Sequence, residues 1–541
     1  MRVTTRVVAA ASMATLGLIV SSCSSGPAAS TGAATSAISI RGCTPQNPLL
    51  GTNTNEVCGG NVLDAITAKL VHYNSDTAAP ELDVAEAIDT SDSINFTVKL
   101  KKGYKFHDGT EVKAKNFVDA WNWGAYGPNG QQNSYFFEPI AGFADVQCAD
   151  AECKTKPKAE TMSGLKVVDD YTFTIKTTSP TSNLPVRLGY TAFIPQPDSF
   201  FADTSEGKKT FGNAPVGAGA YKLTSKTDTE MVLEKFADYS GVNKGSVDKV
   251  TFKIYNDTNA AYNDVVANNL DLTDIIPADQ LVGDIWKTDL DGRNGTRETG
   301  VIQVLTFSPK DANFTDNVKL RQAISMGFDR GLITKQVFNG ARTPATGWVS
   351  PVVDGYKGGA CTNCTFDATK AKQLYTEAGG YKGSMPIYVN GDGGHKLWAD
   401  AFCNQLKNNL GMNCTVEVTP DFATLRKGIV AREYKGLYRG GWQMDYPSIE
   451  NFLTPIYATG ASSNDGDYSN ATFDETLKKA AAATSNAKAN SLYQQAEAIL
   501  DKDMPTIPLW YQQSQFGYST KIASVKMTPF STFDLGSIVL K

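Results

Sequence analysis

This sequence predicts a mixed α/β protein built from more than one compact unit, on three observations. Short runs of alternating apolar and polar residues are interleaved with longer runs whose apolar residues recur every fourth position, so strands and helices follow one another. The 541 residues are several times the usual domain length, enough for two or three units with a large core. No clear internal repeat is visible, which argues against a solenoid or propeller. With 41% hydrophobic and 20% charged residues the composition is globular, and a formal charge of −5 without a basic run argues against nucleic acid as a partner.

The first segment is a targeting signal. Arg2 and Arg6 precede an apolar run over residues 7–20, and Val20-Ser21-Ser22-Cys23 follows, resembling a bacterial lipoprotein signal with its lipobox. The run is shorter than the ~20 residues a spanning helix needs. Cleavage after residue 22 leaves 519 residues, removes two positive charges and no acid, and takes the formal charge to −7. The expected product begins at Cys23, is acylated there, and is held by lipid at the outer face of the cytoplasmic membrane. Residues 24–42 are Ser, Ala, Thr and Gly with little else, a composition expected to act as a flexible tether reaching roughly 25 Å.

Setting Cys23 aside leaves eight cysteines in close sequence pairs: Cys43 with Cys58, Cys148 with Cys153, Cys361 with Cys364, and Cys403 with Cys414. An even remainder in an exported chain reads as disulfides, and the spacing makes neighbour pairing the simplest of the possible connectivities. Cys361 and Cys364 lack the second ligand pair of a zinc site, and the only histidines, His72, His107 and His395, are far apart in sequence. No metal and no cofactor is expected.

Further along, residues 94–100 and 171–175 alternate as strands with one wet face. Residues 316–339 predict one helix: Leu320, Ile324, Phe328 and Leu332 recur every fourth residue, Asp316 or Asn317 can cap the start, and Gly340 can stop it. A second helix over residues 487–503 ends before Pro505, after which residues 508–511 read as an extended crossover. Enzyme signatures are missing: there is no G-x-S-x-G, no H-E-x-x-H and no Walker A loop. The three S-x-x-K matches, at Ser163, Ser246 and Ser485, lack their companion motifs.

Four blocks carry a family resemblance. FTVKLKKGYKFHDGT at 96–110 with VKAKNF at 112–117, APVGAGAY at 214–221 with FADY at 236–239 and VDKVTF at 247–252, VKLRQAIS at 318–325 with FDR at 328–330, and WQMDYPSIENF at 442–452 stand in that order over more than 350 residues. Together they resemble the family 5 extracellular solute-binding proteins, the oligopeptide, dipeptide and nickel group that serves bacterial ABC importers. The resemblance implies a two-lobed periplasmic-binding-protein-like fold of the cluster C type, with an extra small domain inserted in lobe I and two hinge strands. Carried over, lobe I takes residues 43–91, 214–305 and 512–541, the insert 92–213, and lobe II 306–511, with hinges near residues 301–305 and 509–511. The implied function is capture of short peptides between the lobes and delivery to permease and ATPase subunits, by a monomer that is not an enzyme.

The resemblance also assigns a site. In oligopeptide-binding members an aspartate placed like Asp445 pairs with the ligand's α-ammonium, backbone beside a tryptophan placed like Trp442 meets the peptide main chain, and an arginine six residues before the acid, here Arg439, engages a carboxylate. Gly441 and Gln443 complete the expected ligand-binding stretch, with Gly440 and Gly441 giving another backbone room to approach. A zwitterion shielded from water needs a fixed anion at one end and a fixed cation at the other. Dipeptide-restricted members place an arginine where this chain has His395 and Lys396; with Arg439 present, the resemblance implies peptides of about two to five residues. Haem is the alternative ligand, with Tyr135, Phe136 and Phe137 as a candidate slot.

Overall fold

The computed structural model describes residues 36–541 apart from 151, 152, 256, 392, 393, 421 and 462. The expected targeting signal, Cys23 and residues 24–35 of the expected tether lie outside the described residues. Among the described residues no helix is long and apolar enough to cross a membrane.

Two long antiparallel strands, Asn294–Phe307 and Thr506–Tyr518, run through the middle of one large mixed sheet and join its halves. On one side the order continues through Leu437–Gln443, Met385–Asn390 and Cys414–Thr419. On the other it continues through Leu272–Thr273, Ala37–Gly42, Lys249–Ile254, Glu230–Lys235 and Tyr221–Lys226. Each half has its own core, one centred on Leu320, Phe328, Trp398 and Phe402, the other on Ile38, Ile40, Tyr221 and Val250. A separate four-stranded antiparallel sheet, in the order Ala85–Thr90, Asn95–Leu100, Thr172–Lys176, Leu165–Asp169, packs with Phe117 and Trp121 into a third core. The expected strands at 94–100 and 171–175 are the middle pair of this sheet. Two lobes joined by two strands, with a small extra sheet, is the architecture expected from the sequence.

Two expectations are corrected. The tether does not extend to residue 42: Ala37–Gly42 is an interior strand, parallel to Lys249–Ile254 from Ala37 opposite Lys249 to Gly42 opposite Ile254. Ile38 and Ile40 are each 3% exposed, and Arg41 forms two hydrogen bonds to Asp274, at 2.5 and 2.8 Å. The alternation of two isoleucines, masked by small polar neighbours, outweighs the composition of the segment. The helix expected over 316–339 is two helices, Val318–Met326 and Arg330–Phe338. Asp329 breaks it by capping the second helix, accepting from the Leu332 amide at 3.0 Å. The break turns the apolar stripe: Leu320, Ile324 and Phe328 are fully buried, whereas Leu332 is 41% exposed.

The helix expected over 487–503 spans Asn486–Asp503, capped by Ser485, and the extended run after it is the long strand Thr506–Tyr518. The four expected disulfides, Cys43–Cys58, Cys148–Cys153, Cys361–Cys364 and Cys403–Cys414, are all present.

Candidate functional site

The strand Leu437–Gln443 pairs along its whole length with residues 301–307, Gln443 opposite Val301 and Gly440 opposite Val304. Its other neighbour, Met385–Asn390, reaches only Leu437 and Tyr438. From Arg439 to Gln443, therefore, one edge is unpaired by any strand among the described residues, the feature that accepts an added strand. The glycines in this stretch serve the paired edge. A Cβ on Gly441 would lie 2.8 Å from the Ile302 carbonyl oxygen, and one on Gly440 3.2 Å from the Val304 side chain. Close approach is required here by the neighbouring strand of the same chain.

Two cavities flank the strand and share Trp442 and Ser463 in their walls. The larger, about 690 Å³, is lined by Gln443, Met444 and Asp445 together with Tyr73, Tyr135 and Tyr190. The smaller, about 260 Å³, is lined by Arg439, Gly440 and Gly441 with Trp348, Phe422 and Arg426. All five expected binding residues thus line one cavity or the other. In the smaller one the Arg439 guanidinium stands 5.4 Å from the Phe422 ring centre, and Arg426 is paired with Asp465. Of the haem slot residues only Tyr135 reaches a cavity, since Phe136 and Phe137 are 4% and 0% exposed in the core. His395 and Lys396 line neither cavity. The former accepts from the Trp398 indole at 3.1 Å and the latter pairs with Asp400.

Asp445 is held by Asn451. The Asn451 side-chain oxygen accepts from the Asp445 amide at 2.9 Å and from the Trp442 indole at 3.0 Å, while its nitrogen donates to Asp445 Oδ2 at 3.0 Å. The second carboxylate oxygen, Oδ1, has no hydrogen bond among the described residues. Burial pushes this carboxyl up to about 7; the Asn451 bond opposes the shift, the Glu450 charge adds to it, and Arg187 opposes it. Burial, reinforced by the Asp445 charge, in turn drives the hydroxyls of Tyr73, Tyr135 and Tyr190 upward, so three phenols remain neutral around one carboxyl.

Beneath this, Glu450 binds the loop to the segment around residue 187. It pairs with Arg187 at 3.0 Å and accepts from Asn183 and Tyr446, each at 2.7 Å. Tyr446 itself enters the core of the small sheet, with the Arg187 guanidinium 5.4 Å from its ring centre. Asn451, Glu450 and Arg187 were invisible to sequence reasoning. The first two sit inside the WQMDYPSIENF block, but nothing in the order of residues says that Asn451 turns back on Trp442 and Asp445.

A carboxylate, a strand edge and an arginine thus stand beside two cavities at the middle of the large sheet. The chain belongs to the bacterial extracellular solute-binding proteins, family 5, whose model matches residues 79–464. It is 25% identical over 469 residues to the oligopeptide-binding protein OppA of Bacillus subtilis, covering 84% of each chain. It is 26% identical over 513 residues to heme-binding protein A of Haemophilus influenzae, covering 90% of each. Among solved structures it is similar in fold to Haemophilus influenzae OppA in complex with the peptide RPPGFSPFR, with a TM-score of 0.76, 23% identity, and coverage of 94% of this chain and 99% of that one.

Proposed function

We propose that this chain captures short peptides in the inter-lobe cleft and presents them to the permease and ATPase subunits of an ABC importer, binding without catalysis. Asp445 receives the peptide's α-ammonium, the unpaired edge from Arg439 to Gln443 adds the peptide as a strand, and Arg439 engages a carboxylate. The observation that supports this most is the Asp445 carboxylate, pinned by Asn451 on one oxygen and open on the other at the end of that edge. Strand addition reads main chain, so many sequences are accepted. Calorimetry with a free-amine tripeptide and its N-acetylated form tests the anchor: acetylation should abolish binding, and equal affinity for both forms refutes the role.

Lobe I is taken as residues 43–91, 214–305 and 512–541, now with Ala37–Gly42 added, the insert as 92–213 and lobe II as 306–511, in a monomer. Hinge bending around the two long strands then closes the lobes over the ligand, which favours the closed state because it touches both sides. Export and acylation at Cys23 complete the reading: Cys23→Ser should release the protein from the membrane. Similarity to heme-binding protein A supports haem as a second reading, with His72 and Tyr135 in the larger cavity. Purified protein showing a Soret band near about 400 nm would favour it.

A further inference from the structure

The two cavities differ in charge. Glu56, Asp64, Asp83, Asp274, Asp445 and Asp534 line the larger, against only Arg41 and Lys69. Arg41 is spent on Asp274 and Lys69 on Asp64. Glu56, Asp83, Asp445 and Asp534 have no Lys or Arg within ion-pair distance among the described residues. In the smaller cavity Arg426 is paired with Asp465, and Arg439 stands beside them.

Three of these carboxylates, Asp64, Asp83 and Asp445, act on shared phenols. The Tyr73 hydroxyl lies in the field of both Asp445 and Asp64, and the Tyr239 hydroxyl in that of Asp83 and Asp64. Tyr73 stacks on Phe530, centroids 5.2 Å apart, so apolar aromatic faces stand among the acids. A guanidinium or ammonium on a long apolar stem suits such a wall, attracted by the carboxylates and by the ring faces together. One α-ammonium balances Asp445 and leaves three carboxylates without a counter-charge, within a cavity whose low-dielectric walls focus their field.

We propose that the larger cavity selects peptides carrying a lysine or arginine side chain close to the N-terminus, with the peptide's carboxylate end directed to the smaller cavity. This rests on the peptide-binding reading above. The same excess of negative charge opposes a haem propionate.

The test is calorimetry on the mature full-length protein with Ala-Ala-Ala, Lys-Ala-Ala, Ala-Lys-Ala and Ala-Glu-Ala, in low and in high salt. The better of the two lysine peptides should bind at least about tenfold more tightly than Ala-Ala-Ala, with Ala-Glu-Ala weakest, and the spread should narrow as salt screens the field. Asp534→Asn, which keeps the side chain's shape, should reduce the lysine preference. Equal affinity for Ala-Ala-Ala and both lysine peptides, or a preference for Ala-Glu-Ala, overturns the charge selection and leaves peptide capture standing. Failure of all four peptides to bind overturns peptide capture and this inference with it.

Discussion

Lowering the pH should empty this site, by an amount set by Asp445. Its carboxyl is raised to about 7 chiefly by burial, and only the ionised form attracts an ammonium. Above pH 7 the anion is already present. Below it each unit of pH costs about a factor of ten, so at pH 5 about one site in a hundred is ionised and affinity falls about 100-fold, or about 2.7 kcal/mol. The peptide's own amine, with an ordinary pKa of about 8, loses its proton above that value, so affinity should be greatest at about pH 7 to 8 and fall on either side. The surrounding phenols do not titrate in this window: Tyr73, Tyr135 and Tyr190 are pushed upward, away from it. Titration calorimetry of one alanine tripeptide from pH 5 to pH 9 measures the curve. Runs at pH 6 in two buffers of different ionisation enthalpy count the proton that Asp445 releases when the ammonium displaces it. Affinity that is flat between pH 5 and pH 7, or binding without proton release at pH 6, refutes the assignment.

Other outcomes follow from the same geometry. Asn451→Ala should weaken peptide binding by about tenfold and shift Trp442 fluorescence, since one side chain orients both groups by hydrogen bonds of about 1 kcal/mol each. Gly441→Ala should lower the melting temperature through a loss of about 1 to 3 kcal/mol, because the new Cβ would meet the Ile302 carbonyl oxygen at 2.8 Å. Arg187→Ala leaves Glu450 buried at 2% exposure without its cation and should cost about 3 to 5 kcal/mol in chemical denaturation, more than the double replacement with Glu450→Gln.

Much of the architecture was legible because it rests on local signals. The strand at 94–100 shows its alternation openly, and Pro505 marks the end of the last long helix. Asp445, Trp442 and Arg439 were singled out by the family resemblance, and all three line the cavities. Failures came where long-range contacts outweigh local ones. The segment Ala37–Gly42 is tethered in composition and structural in fact, because its partners, Lys249–Ile254 and Asp274, lie more than 200 residues away. The break at Asp329 pits a capping side chain against a helical stripe, and Phe328 is buried against Phe402 on a different helix. Asn451 and the Arg187–Glu450 pair carry no pattern of their own; distant segments meet there by virtue of the fold.

The four disulfides close loops spanning 15, 5, 3 and 11 residues, two in each half of the molecule. No covalent staple therefore crosses the cleft, and reducing agents should leave the swing of one half against the other untouched while loosening each half internally. In the proposed closure, opening and shutting is left to two ribbons of backbone and to whatever guest the gap contains.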